Sequence, residues 1–360
     1  MSTKDRVIVG MSGGVDSAST AKLLLEQGYD VIGVTLKLWP QDCVSRAEDK
    51  CCGPQAVTDA RTVCHRLGVP YYLIDESEEF QNQVIQYFAD EYKAGRTPNP
   101  CVMCNDRLKF GTLISRADRL GARYVATGHY ARIVHGAAGE RTKLYRGKDL
   151  RKDQSYFLFS LKQEQLERCL MPLGDMVKSE TRCVARESGL RVADKEESME
   201  ICFVPDNDYG AFLKKANLAQ PHQGEIVNRR GDVLGNHEGI EFFTVGQRKG
   251  LGISAPKPLY VLELDAAANR VVVGHVEELS RDTFKVERVN WIPFESLEEP
   301  IEVTAQIRYN HPGTPATVED AGGGAVTVRL KEPQKAITPG QACVFYQDDL
   351  TVGGGWIAQE

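Results

Sequence analysis

The chain has 360 residues, with 44 Lys and Arg against 50 Asp and Glu, a net charge of −6, and 42% hydrophobic residues. This is ordinary folded-protein usage, and it excludes a wholly disordered chain, a collagen-like chain and a uniformly basic nucleic-acid coat. No stretch reaches the ~18 consecutive apolar residues of a membrane helix, and the run Val7 to Met11 is too short for the core of a secretion signal. The expectation is a cytoplasmic protein with no membrane partner, whose ten cysteines are reduced thiols rather than a disulfide scaffold.

At the amino end, β-rich runs alternate with helical periodicity. Arg6 to Met11 predicts a buried strand. Ser17 to Gln27 predicts a helix with Ala18, Ala21, Leu24 and Leu25 as its inner stripe. Val31 to Leu36, Val69 to Ile74 and Tyr124 to Thr127 predict further strands. Pro54 to Leu67, Phe80 to Ala94 and Arg107 to Leu120 predict helices, closed by Gly68, Gly95 and Gly121. The alternation predicts an α/β fold: a Rossmann-like parallel sheet with helices on both faces. After Pro205 turn pairs become frequent. From Phe284 short alternating runs, punctuated by Gly322 to Gly324 and Gly353 to Gly355, predict a terminal β-barrel or sandwich. The predicted domains are residues 1–205, a small central domain at 206–280, and a barrel at 281–360.

The hexapeptide Ser12-Gly13-Gly14-Val15-Asp16-Ser17 lies between the first strand and the first helix. There an α/β fold presents free backbone N–H groups and a positive dipole end to an anion. The glycines let backbone approach phosphate, and Ser12 and Ser17 offer hydroxyls. Asp16 is anomalous beside a phosphate unless a cation intervenes, so Mg²⁺ bridging is expected. Neither a G-x-x-x-x-G-K-[ST] loop nor a G-x-G-x-x-G turn is present. The hexapeptide resembles the loop of N-type ATP pyrophosphatases, which activate a carbonyl oxygen by adenylation.

Cys101 and Cys104 form a Cys-x-x-Cys in a predicted loop stiffened by Pro98 and Pro100. Alone, the pair fits a metal site, a redox pair or chance. Cys202 stands between Ile201 and Phe203 and reads alone as a core thiol. Residues 141–152 carry six basic side chains and one Asp. Alone, that is a solvated loop or a phosphate-binding patch.

Several strings change these readings together: Arg96 to Cys104-Asn105, Ala126 to Tyr130, Lys152 to Phe157, Gly246 to Gly252, and Thr338 to Gln341. In this order, from Arg6 to about Trp356, the chain resembles the tRNA-specific 2-thiouridylase (MnmA) family. The resemblance implies an adenine nucleotide alpha hydrolase-like fold and ATP-dependent 2-thiolation of the wobble uridine of tRNA. It implies that Gly10, Met11, Ser12, Gly13, Gly14, Val15, Asp16 and Ser17, with Leu36 and Gly128, bind ATP and Mg²⁺. It implies that Asn99, Pro100 and Cys101 face the target base, and that His129, Lys152, Asp153, Gln154, Arg308, Tyr309 and Gln341 contact the anticodon stem-loop. Cys202 is implied as the persulfide carrier and Cys104 as the nucleophile, either releasing hydrosulfide with a Cys104–Cys202 disulfide left behind or acting directly on the base. A cysteine desulfurase or a persulfide carrier protein is the implied sulfur donor.

One position departs from the family pattern. Its commoner form has Asp where this chain has Cys101. Three thiols are therefore expected at one site, and Cys101, Cys104 and Cys202 become candidate ligands of a [4Fe–4S] cluster as the alternative to a persulfide relay. Cys43, Cys51 and Cys52 read as a structural loop. Cys64, Cys169, Cys183 and Cys343 read as inert core. A small-molecule adenylating ligase built on the same loop is the competing activity.

Overall fold

The computed structural model describes residues 4–38, 53–137, 139–195 and 201–359. Cys43, Cys51 and Cys52 lie outside them. The chain forms two compact units: Met1–Val84 with Cys101–Cys202 and Asp349–Thr351, and Ile85–Pro100 with Phe203–Asp348 and Val352–Glu360.

The first unit is built on β1 (Arg6–Gly10), α1 (Val15–Glu26), β2 (Asp30–Lys37), α2 (Pro54–Leu67), β3 (Tyr71–Asp75) and β4 (Tyr124–Ala126). The sheet runs β3-β2-β1-β4 and ends on the short strand Cys169–Leu170, with every pairing parallel. Val7, Ile8 and Val9 are each fully buried, because a central parallel strand is covered on both faces and reads as an unbroken apolar run. α2 matches its predicted limits. Pro54 occupies its first position, and Gly68 closes it in the left-handed conformation (φ 68°).

Two predicted helices differ in detail. The segment Phe80 to Ala94 breaks into Ser77–Phe80, a wide i→i+5 stretch Gln81–Ile85 and Gln86–Lys93. The predicted loop around Cys101 and Cys104 is helical instead. Pro100–Met103 opens a helix that continues as a wide stretch Cys104–Thr112 and then as Leu113–Arg119. Pro100 stiffens this segment by starting a helix, where its fixed φ fits and its missing N–H is not needed. Wide turns of this kind gather at functional sites.

The second unit holds a four-stranded sheet in the order Tyr260–Asp265, Arg270–Gly274, Gly224–Asn228, Val233–His237. It also holds a closed six-stranded antiparallel barrel, in which Leu350–Ile357 returns to pair with Ser280–Trp291. Gly322 to Gly324 mark a hairpin, as predicted, with φ of 80°, 64° and 78°. Gly353 to Gly355 do not punctuate; they lie inside the closing strand. A Cβ at Gly353 would sit 2.8 Å from the Trp291 ring, so these glycines let the closing strand approach its partner.

Candidate active site

The carboxyl end of β1 delivers the phosphate loop. Met11 is fixed by its N–H donating to the Val34 carbonyl at 2.8 Å and by the Thr35 hydroxyl donating to its own carbonyl at 2.7 Å. Gly14 caps α1 without a side-chain acceptor, which leaves the first-turn N–H groups to a ligand. Ser17 Oγ accepts from the Ser12 N–H at 3.2 Å and donates to the Gly14 carbonyl at 3.1 Å, closing the turn on itself. Gly13 has φ 72°, and a Cβ there would run into the Ala56 carbonyl. Behind the loop, a Cβ on Gly128 would meet the Asp16 backbone carbon at 2.8 Å and the Ser17 nitrogen at 2.9 Å. Leu36 is buried near the end of β2.

Asp16 is held by partners from other elements. Its carboxylate already has a cation: Lys178 Nζ donates to both oxygens at 2.7 and 2.9 Å, and the Tyr130 hydroxyl donates to one at 2.9 Å. A second ammonium, on Lys195, donates to Asp59 at 2.7 Å and to the Gly13 carbonyl at 3.4 Å. Sequence reasoning did not find Lys178, Tyr130 or Lys195. They lie more than a hundred residues from the loop; Tyr130 stands in the string Ala126 to Tyr130, but nothing local ties it to Asp16, and Lys178 and Lys195 carry no local motif.

The helix bearing Cys101 and Cys104 packs against the same sheet edge. Leu113 Cδ1 lies 3.3 Å from where a Cβ on Gly10 would be, and the Phe110 ring lies 5.9 Å from the His129 ring. Cys104 precedes Leu113 by nine residues on the same continuous helical run. Cys104 is buried, and Cys101 and Cys202 are half-buried. Burial pushes the Cys101 thiol above its ordinary range, and the nearby Lys109 charge opposes this only in part; Cys101 is protonated at neutral pH.

Among the described residues no group of three or more His, Cys, Asp or Glu side chains is arranged to hold a metal ion. Cys64, Cys169 and Cys343 are fully buried, and burial raises all three thiols, Cys64 to about 12. Cys183 departs from expectation and is exposed. On helix Lys178–Glu187 the buried positions are Thr181 and Ala185, and Cys183, two residues from each, falls on the opposite side.

His129 is buried beside Lys109, and burial first, then that charge, pull its pKa from 6.5 to about 3. It stays neutral at physiological pH, with Nδ1 2.7 Å from Thr127 Oγ1. The folded value lies below the unfolded one, so between pH 3 and 6.5 the unfolded chain binds the extra proton and stability rises with pH. From pH 7 to pH 5 this group alone should remove about 2 kcal/mol. His129→Asn is expected to flatten the fall in urea midpoint over that interval. An unchanged slope would contradict the assignment.

The basic stretch is divided in use. Arg151 is 94% exposed. Asp153 turns inward, accepting from the Gly147 and Ser155 N–H groups, the Ser155 hydroxyl and Arg146; it shapes the turn that carries Lys152 and Gln154. Gln154 accepts from the Tyr130 N–H at 3.0 Å.

In the second unit, the Arg96 to Pro100 segment is held from several sides. Arg96 makes a two-pronged pair with Glu91 at 2.7 Å on each arm. The Gln341 amide donates to the Thr97 and Pro98 carbonyls at 3.1 and 3.2 Å, and the Thr97 N–H donates to the Pro339 carbonyl at 2.8 Å. Gly340 (φ 85°) allows this approach, since a Cβ would lie 3.0 Å from the Thr97 nitrogen. Gln341 thus supports Asn99 and Pro100 from below. Arg308 is exposed, and Tyr309 is half-buried beside it.

Family models match three consecutive stretches: a tRNA methyl transferase HUP domain at residues 5–206, a tRNA methyl transferase PRC-barrel domain at 210–275, and an aminomethyltransferase β-barrel domain at 281–357. The tRNA-specific 2-thiouridylase MnmA 1 of Caldanaerobacter subterraneus subsp. tengcongensis is 49% identical over 362 residues, covering 100% of both chains. The tRNA-specific 2-thiouridylase MnmA of Geobacter metallireducens is 51% identical over 358 residues, covering 98% of this chain and 97% of its own. That of Clostridium acetobutylicum is 48% identical over 353 residues, covering 98% and 99%. With full-length identity at this level, and with the phosphate loop and thiols lying where the shared strings stand, the chain belongs to the tRNA-specific 2-thiouridylase family.

Proposed function

We propose that the chain catalyses ATP-dependent 2-thiolation of the wobble uridine, position 34, of tRNA. The observation that carries this reading is the packing of the Cys101–Cys104 helix against the phosphate-loop edge of one sheet, Leu113 at Gly10 and Phe110 at His129. A nucleotide-activating group and a sulfur nucleophile then serve one substrate.

Gly10 to Ser17 bind the phosphates, and Leu36 and Gly128 border the adenosine. A Mg²⁺ ion bound with ATP would offset phosphate charge, and Asp16 is the loop carboxylate that would hold it. The uracil O2 attacks the α-phosphorus and pyrophosphate leaves, which converts a poor leaving group into AMP. Cys202 takes sulfane sulfur from the donor protein as a persulfide. The Cys104 thiolate attacks the Cys202 sulfur, hydrosulfide departs to C2 of the base and displaces AMP, and the resulting disulfide is reduced by an external thiol. A thiolate is required at Cys104, whereas the protonated Cys101 thiol beside it is suited to hydrogen bonding with the base alongside Asn99 and Pro100. The base must leave its stack to reach this site. The proposed route is the persulfide relay, with no step routed through an iron–sulfur cluster. About four irons per chain after anaerobic purification would overturn that choice.

Lys152, Gln154, Arg308 and Tyr309 are the proposed RNA-facing groups, with Arg151 added by its exposure. His129 and Asp153 act by holding the first unit's groups in shape, and Gln341 by holding the Arg96 to Pro100 segment. Arg151→Ala with Lys152→Ala is expected to lower the slope of log affinity for tRNA against log salt by between about 1 and 2. An unchanged slope removes the patch from the interface.

The reaction is tested with purified protein, unmodified tRNA, MgATP and a persulfide donor. The expected result is 2-thiouridine at position 34 by mass spectrometry, with one AMP per sulfur. AMP release indifferent to tRNA, with no thiolated base, would sink the proposal.

A further inference from the structure

Asp16 is the one group of the phosphate loop whose charge opposes a polyphosphate. The structure surrounds it with donors. Lys178 Nζ bonds both carboxylate oxygens at 2.7 and 2.9 Å, and the Tyr130 hydroxyl, itself 2.9 Å from Thr181 Oγ1, bonds one. Lys178 opens the helix Lys178–Glu187, which is pinned to α1 by the Ser19 hydroxyl donating to the Thr181 carbonyl at 3.0 Å. Its side chain is only 12% exposed, and its ammonium lies 5.5 Å from the centre of the Tyr130 ring.

A carboxylate in the first turn of α1 is already favoured by the helix dipole and needs no second counter-ion. A largely buried lysine brought to it from another helix therefore points past the carboxylate, to charge that arrives later. An ammonium carries three donors on a flexible stem and exchanges one oxygen anion for another without backbone movement. Gly128, packed on the Asp16 backbone, keeps the carboxylate at the loop rather than letting it withdraw.

We propose that Lys178 is a further ATP-binding residue, held on Asp16 and transferred to the β- and γ-phosphates, the departing pyrophosphate, when the nucleotide binds. Tyr130 and Thr181 are positioning residues for this exchange. The inference rests on the proposed use of ATP by the loop.

The test is equilibrium binding of ATP, inorganic pyrophosphate and adenosine to the whole protein in MgCl₂, without tRNA. Lys178→Met is expected to weaken ATP and pyrophosphate at least tenfold and leave adenosine unchanged, with Lys178→Arg retaining most of the affinity. In an Asp16→Asn background, Lys178→Met should still weaken ATP about tenfold. Should Lys178→Met fail to fold, Lys178→Gln replaces it. ATP affinity untouched by the change, or fully restored in the double variant, would overturn the proposal and leave only a structural pair. A folded wild-type protein that binds no ATP would overturn the ATP reading itself, and this inference with it.

Discussion

Cys202→Ser is expected to reduce thiolation at least a thousandfold while tRNA-stimulated pyrophosphate release continues, and Cys104→Ser to do the same. The substitution keeps shape and removes one property: oxygen neither carries sulfane sulfur nor attacks it, so the later half-reaction stops while adenylation, which uses the phosphate loop, does not. The measurements are 2-thiouridine by mass spectrometry and radiolabelled pyrophosphate release on the same samples. Cys64→Ser is the matched control. Its thiol is fully buried and held up to about 12, so it should lower the unfolding midpoint through an ill-satisfied hydroxyl and leave the thiolation rate per folded molecule intact. A small-molecule ligase on the same loop would be indifferent to Ser at positions 104 and 202. Pyrophosphate release indifferent to tRNA, with no 2-thiouridine even in the wild type, would favour that competitor, and full thiolation in either variant would remove that cysteine from the relay.

How much of this was legible in the sequence depended on distance along the chain. α2 is readable to the residue because both its ends carry punctuation, Pro54 and Gly68. β1 is readable because Val7 to Val9 have no polar face. The strand Cys169–Leu170 is too short for any period and exists only because β4 offers it an edge. Pro98 and Pro100 signal rigidity but not its kind, since proline suits both a loop and the first turn of a helix; the structure resolves this toward a helix, and so orients Cys101 and Cys104. Asp16 shows the limit most clearly. Its chemistry requires a cation, and the sequence points to Mg²⁺ but not to the lysine that also pairs with it. Lys178 stands 162 residues away, with nothing between them to mark a pair. Asp153 stands within a string shared with an RNA-modifying family, yet its side chain faces inward. A shared string identifies a position without stating which way the residue points.

The phosphate loop offers an experiment in which two neighbouring glycines should fail for different reasons. Gly13 sits at φ 72°, and an added Cβ would collide with the Ala56 carbonyl, which is backbone and cannot swing aside. Gly13→Ala should therefore displace the loop or α2, lowering stability by about 1–3 kcal/mol and abolishing ATP binding with it. Gly14 has an extended conformation (φ −101°), and the nearest atom to its added Cβ is Ser12 Oγ at 3.5 Å, an ordinary contact. Gly14→Ala should leave the unfolding midpoint close to wild type and still weaken ATP tenfold or more, because the methyl group stands where phosphate meets the first-turn N–H groups. Binding of ATP by calorimetry and urea unfolding of both variants separate the two effects. If Gly14→Ala binds ATP as well as wild type, the phosphates do not rest on the turn between β1 and α1, and the site must be sought elsewhere on the sheet edge.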